Sequence, residues 1–169
     1  MENTVKLYSL SLREAKTYLF ATLFIAGNII LPQVAHLVPG GGVVWLPIYF
    51  FTLIAAYKFG LRVGLLTAVL SPLVNSALFG MPVVAMLPAI LVKSTLLAVA
   101  ASYFAHKAGK ISLLAILAAI ASYQIIGSAI EWAMVGNFAV AVQDFRIGVP
   151  GMLVQLFGGY FVLKALSKV

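Results

Sequence analysis

Charged residues and cysteine are what this sequence has least of. It contains no cysteine, which excludes disulfides, thiolate metal sites and cysteine nucleophiles. Only 9% of its 169 residues are charged, whereas 63% are hydrophobic, and the mean hydropathy is +1.11. A soluble domain of this size needs far more polar surface to remain in solution. The composition therefore predicts a membrane protein.

Motifs of catalysis and of nucleotide binding are also missing. The sequence has no HExxH, no paired-aspartate motif, no G-x-S-x-G and no phosphate-binding glycine loop. Its two histidines, His36 and His106, fall on opposite sides of the membrane in a six-span topology, which argues against a histidine metal site. We therefore expect no enzymatic activity, no metal and no cofactor, and we expect any ATP-driven step to belong to another chain.

Six apolar stretches occupy almost the whole chain. A hydrocarbon core about 30 Å thick requires roughly 20 apolar residues per helix. Stretches such as 61–70 and 112–120 are apolar on all sides and do not alternate as the strands of a membrane β-barrel do. We predict an all-α integral membrane protein with one transmembrane domain over residues 1–169. Its six predicted spans are residues 14–33, 43–59, 61–79, 82–105, 112–137 and 147–167.

The positive charges predict the orientation. The formal net charge is +7, and nine of the eleven Lys and Arg residues lie on one side of a six-span protein. These nine residues are Lys6, Arg13, Lys16, Lys58, Arg62, Lys107, Lys110, Lys164 and Lys168. The positive-inside rule places that side, and both termini, in the cytoplasm, with the spans in the cell (inner or plasma) membrane. Charges at the membrane edges do not indicate nucleic-acid binding.

The first span and the loop after it carry local signals. Ser11 and Glu14 have the spacing of a helix capping box, and Pro32 is predicted to end the first helix. The outer loop over residues 33–44 is mostly apolar and contains Pro39, Gly40, Gly41 and Gly42. Two interpretations stay open for this loop. It lies in the interfacial region, or it is a mobile lid that closes over an outward-facing pocket with the glycines as its hinge.

Two ionisable residues lie inside predicted spans. A central Lys or Asp costs about 2.5–3.5 kcal/mol in hydrocarbon, so such residues are kept for a partner or a ligand. Lys93 lies about eleven residues into span four, roughly 16 Å deep and near the midplane. Glu131 lies about one and a half turns from the outer end of span five. Either the two form an ion pair between the spans, or one or both contact a polar substrate, and the two interpretations are compatible.

Other polar and aromatic residues of the outer half extend this candidate pocket. They are Asn75, Trp132, Gln155 and, beside the glycine loop, His36. Asp144 and Arg146, two residues apart, are expected to form a solvated local pair.

Small residues recur every four positions in two spans, and such stripes let helices approach closely. Gly60, Gly64 and Ala68 form one stripe, and Thr22 and Ala26 form a shorter version in span one. Internal packing and an interface with a partner membrane protein are both compatible with these stripes.

The pattern resembles the substrate-binding S component of energy-coupling-factor (ECF) transporters. The resemblance rests on six short helices, a long first outer loop, and the residues of two regions. Within 45–104 these are Pro47, Gly60, Gly64, Pro72, Asn75 and Gly80, and within 148–155 they are Gly148, Pro150 and Gln155.

The resemblance implies a function. S components bind vitamins or related micronutrients in an outward pocket, and they dock onto a membrane T component with two ATPases. It implies a pocket drawn from Asn75, Lys93, Glu131, Trp132 and Gln155, and a lid over residues 34–44. The family's docking motif in helix one is Ala-x-x-x-Ala, and the nearest match here is Thr22–Ala26, with the Gly60 stripe as a second candidate.

Two other hypotheses remain. A structural scaffold protein of the cell envelope can have the same size and helix count, and a small membrane enzyme is disfavoured by the missing catalytic motifs. The sequence leaves the charge of a ligand open, because a Glu and a Lys together suit a zwitterion, an anion or a cation.

Overall fold

The computed structural model describes residues 6–167, and every regular element in that range is a helix. A 3₁₀ turn, Pro47–Tyr49, precedes α3, and a π-helical turn, Val154–Gly158, joins α9 to α10. Lys168, one of the predicted cytoplasmic cations, lies outside the described residues. The helices are α1 (Ala15–Ala35), α2 (Gly41–Trp45), α3 (Phe50–Phe59), α4 (Leu61–Phe79), α5 (Leu87–Ala108), α6 (Leu113–Val135), α7 (Phe138–Ala141), α8 (Gln143–Ile147), α9 (Val149–Leu153) and α10 (Gly159–Leu166).

Within residues 6–167, five helices are long and apolar enough to cross a bilayer. They are α1, α4, α5, α6 and the continuous helix Val149–Leu166. Their outer faces expose large apolar side chains, including Leu19 at 67%, Leu114 at 74% and Phe161 at 67%. Apolar surface on this scale is stable in lipid and not in water. The fold is therefore that of an all-helical, multi-pass membrane protein.

The second predicted span, 43–59, is not one continuous helix. Leu46 adopts a left-handed conformation (φ 46°, ψ 47°) and separates α2 from the turn that leads into α3. Pro47 explains the break, because a proline disfavours the helical conformation of the residue before it. The unbroken part, Pro47–Phe59, is shorter than the other spans.

Helix α3 forms the centre of the bundle. Its residues from Thr52 to Phe59 are all buried, and α3 packs against α1, α4, α5 and α10. Gly64 of α4 lies so close to Ala56 that a β-carbon at this position would overlap it. The stripe of small residues in α4 therefore serves internal packing.

The basic residues gather at the end of the bundle where α3 ends and α4 begins. Lys58 Nζ donates to the Lys6 carbonyl at 2.8 Å, and Arg62 donates to the Leu10 carbonyl at 3.3 Å. The Tyr57 hydroxyl donates to the Lys110 carbonyl at 2.8 Å, which brings the α5–α6 turn to the same end. The predicted clustering of these cations at one end is thus present in the fold.

Both ends of α1 refine the predictions. At the start of α1, the Ser11 N–H donates to Glu14 Oε1 at 2.7 Å, which is half of the predicted capping box. The other half is replaced, because the Ser11 hydroxyl accepts from the Arg13 N–H. The predicted end of α1 at Pro32 was wrong, since the helix continues to Ala35. A proline in a last turn removes one hydrogen bond and does not stop the helix.

Candidate functional site

A cavity of about 320 Å³ opens at the end of the bundle opposite the basic cluster. It lies between the C-terminal end of α1, the turn before α3, the start of α5 and the end of α6. Most of its wall is apolar, and its ionisable groups are few. The lining residues are Pro32, His36, Gly42, Val43, Leu46, Pro47, Ile48, Tyr49, Met81, Pro82, Val83, Met86, Ala89, Ile90, Lys93, Glu131 and Asp144.

An ion cluster of three side chains forms part of this wall. Lys93 Nζ lies 2.6 Å from Glu131 Oε2, and it donates a hydrogen bond to Asp144 Oδ2 at 2.8 Å. The three side chains are only 4%, 11% and 13% exposed. The ion pair expected between Lys93 and Glu131 is therefore present, but it includes a second carboxylate.

Asp144 was expected to form a solvated pair with Arg146, and that expectation was wrong. The short helix α8 turns Asp144 inward onto Lys93, 51 residues earlier in the chain, while Arg146 is exposed. Within the cavity wall one cation thus faces two anions. Asp144 is one of only four acidic residues in the chain, and it lies in a segment that is otherwise mostly apolar. A rare acidic residue in an apolar segment was the sequence feature that could have indicated its contact with Lys93.

Lys93 lies nearer to the start of its helix than predicted. Because α5 begins at Leu87 and not at residue 82, Lys93 is its seventh residue and lies about 9 Å from the helix start. Glu131 lies four residues before the end of α6, about 6 Å from that end. Gly127, one turn before Glu131, makes room for the lysine: a β-carbon there would lie 2.6 Å from Lys93 Cγ.

The predicted lid corresponds to the end of α1, a turn and α2. We call residues 36–45 the glycine segment. Gly40 adopts a left-handed conformation (φ 73°), which favours glycine. Gly41 faces the Ala35 carbonyl, which leaves no space for a β-carbon, and a β-carbon on Gly42 would lie 2.6 Å from His36 Nε2. Two of the three glycines thus serve close packing around the turn.

Helix α9 holds the far end of the glycine segment. Gly151 packs directly on the backbone of Trp45, where a β-carbon would overlap the carbonyl group. His36 lies at the other end, and its Nδ1 donates to the Pro32 carbonyl at 2.6 Å, because a carbonyl oxygen can only accept. The segment is therefore attached at both ends beside the cavity.

Gln155 lies behind the cavity wall and not in it. Its Oε1 accepts from the Tyr123 hydroxyl at 3.0 Å, and the same hydroxyl accepts from Gln124 Nε2 at 3.0 Å. The Tyr123 ring lies 5.2 Å from the ring of Tyr49, which does line the cavity. Gln155 belongs to the π-helical turn, a feature frequently found at functional sites.

Asn75 belongs to a second buried network, between α1, α3 and α4. It donates to the Asn28 carbonyl at 2.8 Å and accepts from Gln33 at 3.3 Å. The Asn28 side chain in turn donates to Thr52 at 3.0 Å and Ser71 at 3.3 Å, and accepts from the Phe51 N–H. These contacts fix three helices to one another and account for Asn75 without a ligand.

The remaining predicted residues lie away from the cavity. Trp132 is half exposed and packs edge-on against Phe138 of α7. Thr22 and Ala26 are exposed on the outer face of α1, whereas Gly64 and Ala68 are buried. Of the six predicted substrate contacts, the cavity therefore brings together Lys93, Glu131 and His36. The cavity wall also contains Asp144 and Tyr49, which were not among the predicted substrate contacts.

The site offers no group of three potential ligands for a metal ion among residues 6–167. No protein-family model, curated protein or solved structure matches the chain.

Proposed function

We propose that this protein is the substrate-binding subunit of an uptake transporter, in the manner of an ECF S component. In this proposal the cavity beside the glycine segment binds a small micronutrient. The observation that carries the proposal is the cavity of about 320 Å³ with the ion cluster of Lys93, Glu131 and Asp144 in its otherwise apolar wall. Concave, mostly apolar sites with a few convergent polar groups are the usual form of small-molecule sites.

The proposed topology has six spans in the cell membrane. The span that the five long helices do not supply is the second in chain order, residues 43–59, which contains the break at Leu46. The basic end of the bundle then faces the cytoplasm together with both termini, following the positive-inside rule. The cavity lies at the opposite end, so it opens to the outside, as uptake requires.

The proposed energy source is a set of partner chains. The sequence carries no phosphate-binding loop, so a membrane T component with two ATPase subunits would supply the work, and this chain would have no enzymatic activity of its own. Of the two candidate docking stripes, Gly64 and Ala68 are used inside the protein. The exposed Thr22 and Ala26 on α1 therefore remain as the docking face.

The experiment is a ligand search with a matched pair of variants. Protein purified in mild detergent is denatured, and released small molecules are identified by mass spectrometry. Ala89→Phe places a ring in the cavity, whereas Val99→Phe places the same ring on the exposed face of the same helix. We expect a compound from the wild type and from Val99→Phe, and its loss in Ala89→Phe.

The opposite result favours the scaffold hypothesis. A wild-type protein that releases no compound, and whose melting temperature does not change across a panel of vitamins and their precursors, has no binding function of this kind. Equal retention of the compound by Ala89→Phe and the wild type would place the ligand elsewhere.

A further inference from the structure

The charges around the cavity do not cancel. Lys93 carries one positive charge, and Glu131 and Asp144 carry two negative charges at 2.6 and 2.8 Å from its nitrogen. All three side chains are nearly nine-tenths buried or more. Arg146, the nearest cation in the sequence, is exposed and is not part of the cavity wall. A buried excess of one negative charge is unfavourable until a positive charge joins it.

The hydrogen-bonding groups point the same way. The Lys93 ammonium is already engaged by two carboxylates. His36 Nδ1 donates to the Pro32 carbonyl, and in that tautomer Nε2 is the acceptor of the ring. The Tyr49 hydroxyl is neutral and can both donate and accept. The ionisable groups of the wall thus present mainly hydrogen-bond acceptors, which suit a ligand that carries hydrogen-bond donors.

We propose that the ligand is a compact organic monocation, such as a protonated amine or an N-heterocyclic cation. This inference rests on the proposed function. The cationic group lies against Glu131 and Asp144 and balances the excess charge, and the apolar body packs on the wall formed by Met86 and Ile90. A metal cation is disfavoured, because the described residues contain no group of three potential metal ligands. Charge-assisted hydrogen bonds in a partly buried site are stronger than neutral ones.

Three probes with the same ring separate charge from shape: benzylammonium, benzyl alcohol and benzoate. The full-length protein, freed of any co-purified compound, is titrated in detergent, and binding is followed by the shift of the melting temperature and by calorimetry. We expect benzylammonium to bind about tenfold tighter than benzyl alcohol, and benzoate to bind weakest. Equal or tighter binding of benzyl alcohol or benzoate overturns the charge inference alone. Binding of none of the three, together with no released compound, overturns the proposed function and this inference with it.

Two variants remove the excess charge without changing side-chain shape. Asp144→Asn and Glu131→Gln each leave Lys93 with one carboxylate. Arg146→Gln is the control, because Arg146 lies on α8 together with Asp144. We expect each acidic variant to weaken benzylammonium about tenfold while binding benzyl alcohol as the wild type does, and Arg146→Gln to leave both unchanged. Should one acidic variant not fold, the other gives the same comparison. Unchanged discrimination between the two probes in a folded acidic variant contradicts the proposal.

Discussion

Replacing Lys93 with methionine leaves two buried carboxylates without their cation. The contacted oxygens of Glu131 and Asp144 lie within 2.8 Å of the same nitrogen, so they are at most about 5.4 Å apart. Two like charges about 5 Å apart repel by roughly 3 kcal/mol at an effective dielectric constant near 20. Breaking a buried ion pair by removal of one partner costs about 3–5 kcal/mol, which is the same range.

The assay is thermal unfolding in detergent, followed by tryptophan fluorescence. About 1 kcal/mol changes the melting temperature by roughly 2–4 °C in a protein of this size, so Lys93→Met should lower it by about 6–12 °C. Lys107→Met is the control, because Lys107 lies on the same helix and is exposed. We expect that variant to differ from the wild type by less than about 2 °C.

A second variant separates the charge effect from lost packing. Lys93→Met combined with Glu131→Gln leaves only one of the two carboxylates charged, so the repulsion is removed while the methionine remains. We expect the double variant to recover at least half of the lost melting temperature. A double variant no more stable than Lys93→Met, or a single variant that melts with the wild type, would refute the electrostatic account of the cluster.

Three further substitutions test the packing around the site, each by thermal unfolding in detergent. Gly127→Ala should cost about 1–3 kcal/mol, because the added methyl meets the stem of Lys93; an unchanged melting temperature would contradict this. Asn28→Ala should cost about 2–3 kcal/mol through its lost side-chain hydrogen bonds, and a loss below about 0.5 kcal/mol would show that this network is dispensable. Gly41→Ala should displace the glycine segment from the Ala35 carbonyl and reduce retention of the co-purified ligand, whereas full retention would separate this segment from binding.

The helical class and most helix positions could be predicted from apolar length alone. The predicted span 61–79 matches α4 (Leu61–Phe79), and 112–137 contains α6 (Leu113–Val135). Hydropathy reports burial and not backbone angles, so it gave 43–59 as one span, although Pro47 marks the place where the helix breaks at Leu46. The late start of α5 was hidden for the same reason, since residues 82–86 are apolar although they precede the helix.

The site was predictable where charge in an apolar helix is the signal. That signal identified Lys93 and Glu131 and their pairing. It missed Asp144, because a carboxylate two residues from Arg146 suggests a local pair, and the contact that forms spans 51 positions. Asn75 and Gln155 are also polar residues in apolar helices, so they were predicted to contact a ligand. Their hydrogen bonds instead join helices to one another. A sequence shows that a buried polar group needs a partner, but not which partner it has.

The enclosure of α3 from Thr52 to Phe59 has a consequence for how the protein fits its bilayer. A helix that faces lipid must match the hydrocarbon thickness or tilt, because its ends otherwise meet the wrong medium. The residues from Thr52 to Phe59 are all buried and touch neighbouring helices on every side, so the thickness requirement falls on the outer helices. The central helix is thereby free to be short, and the cavity lies beyond its N-terminal end, next to the turn Pro47–Tyr49.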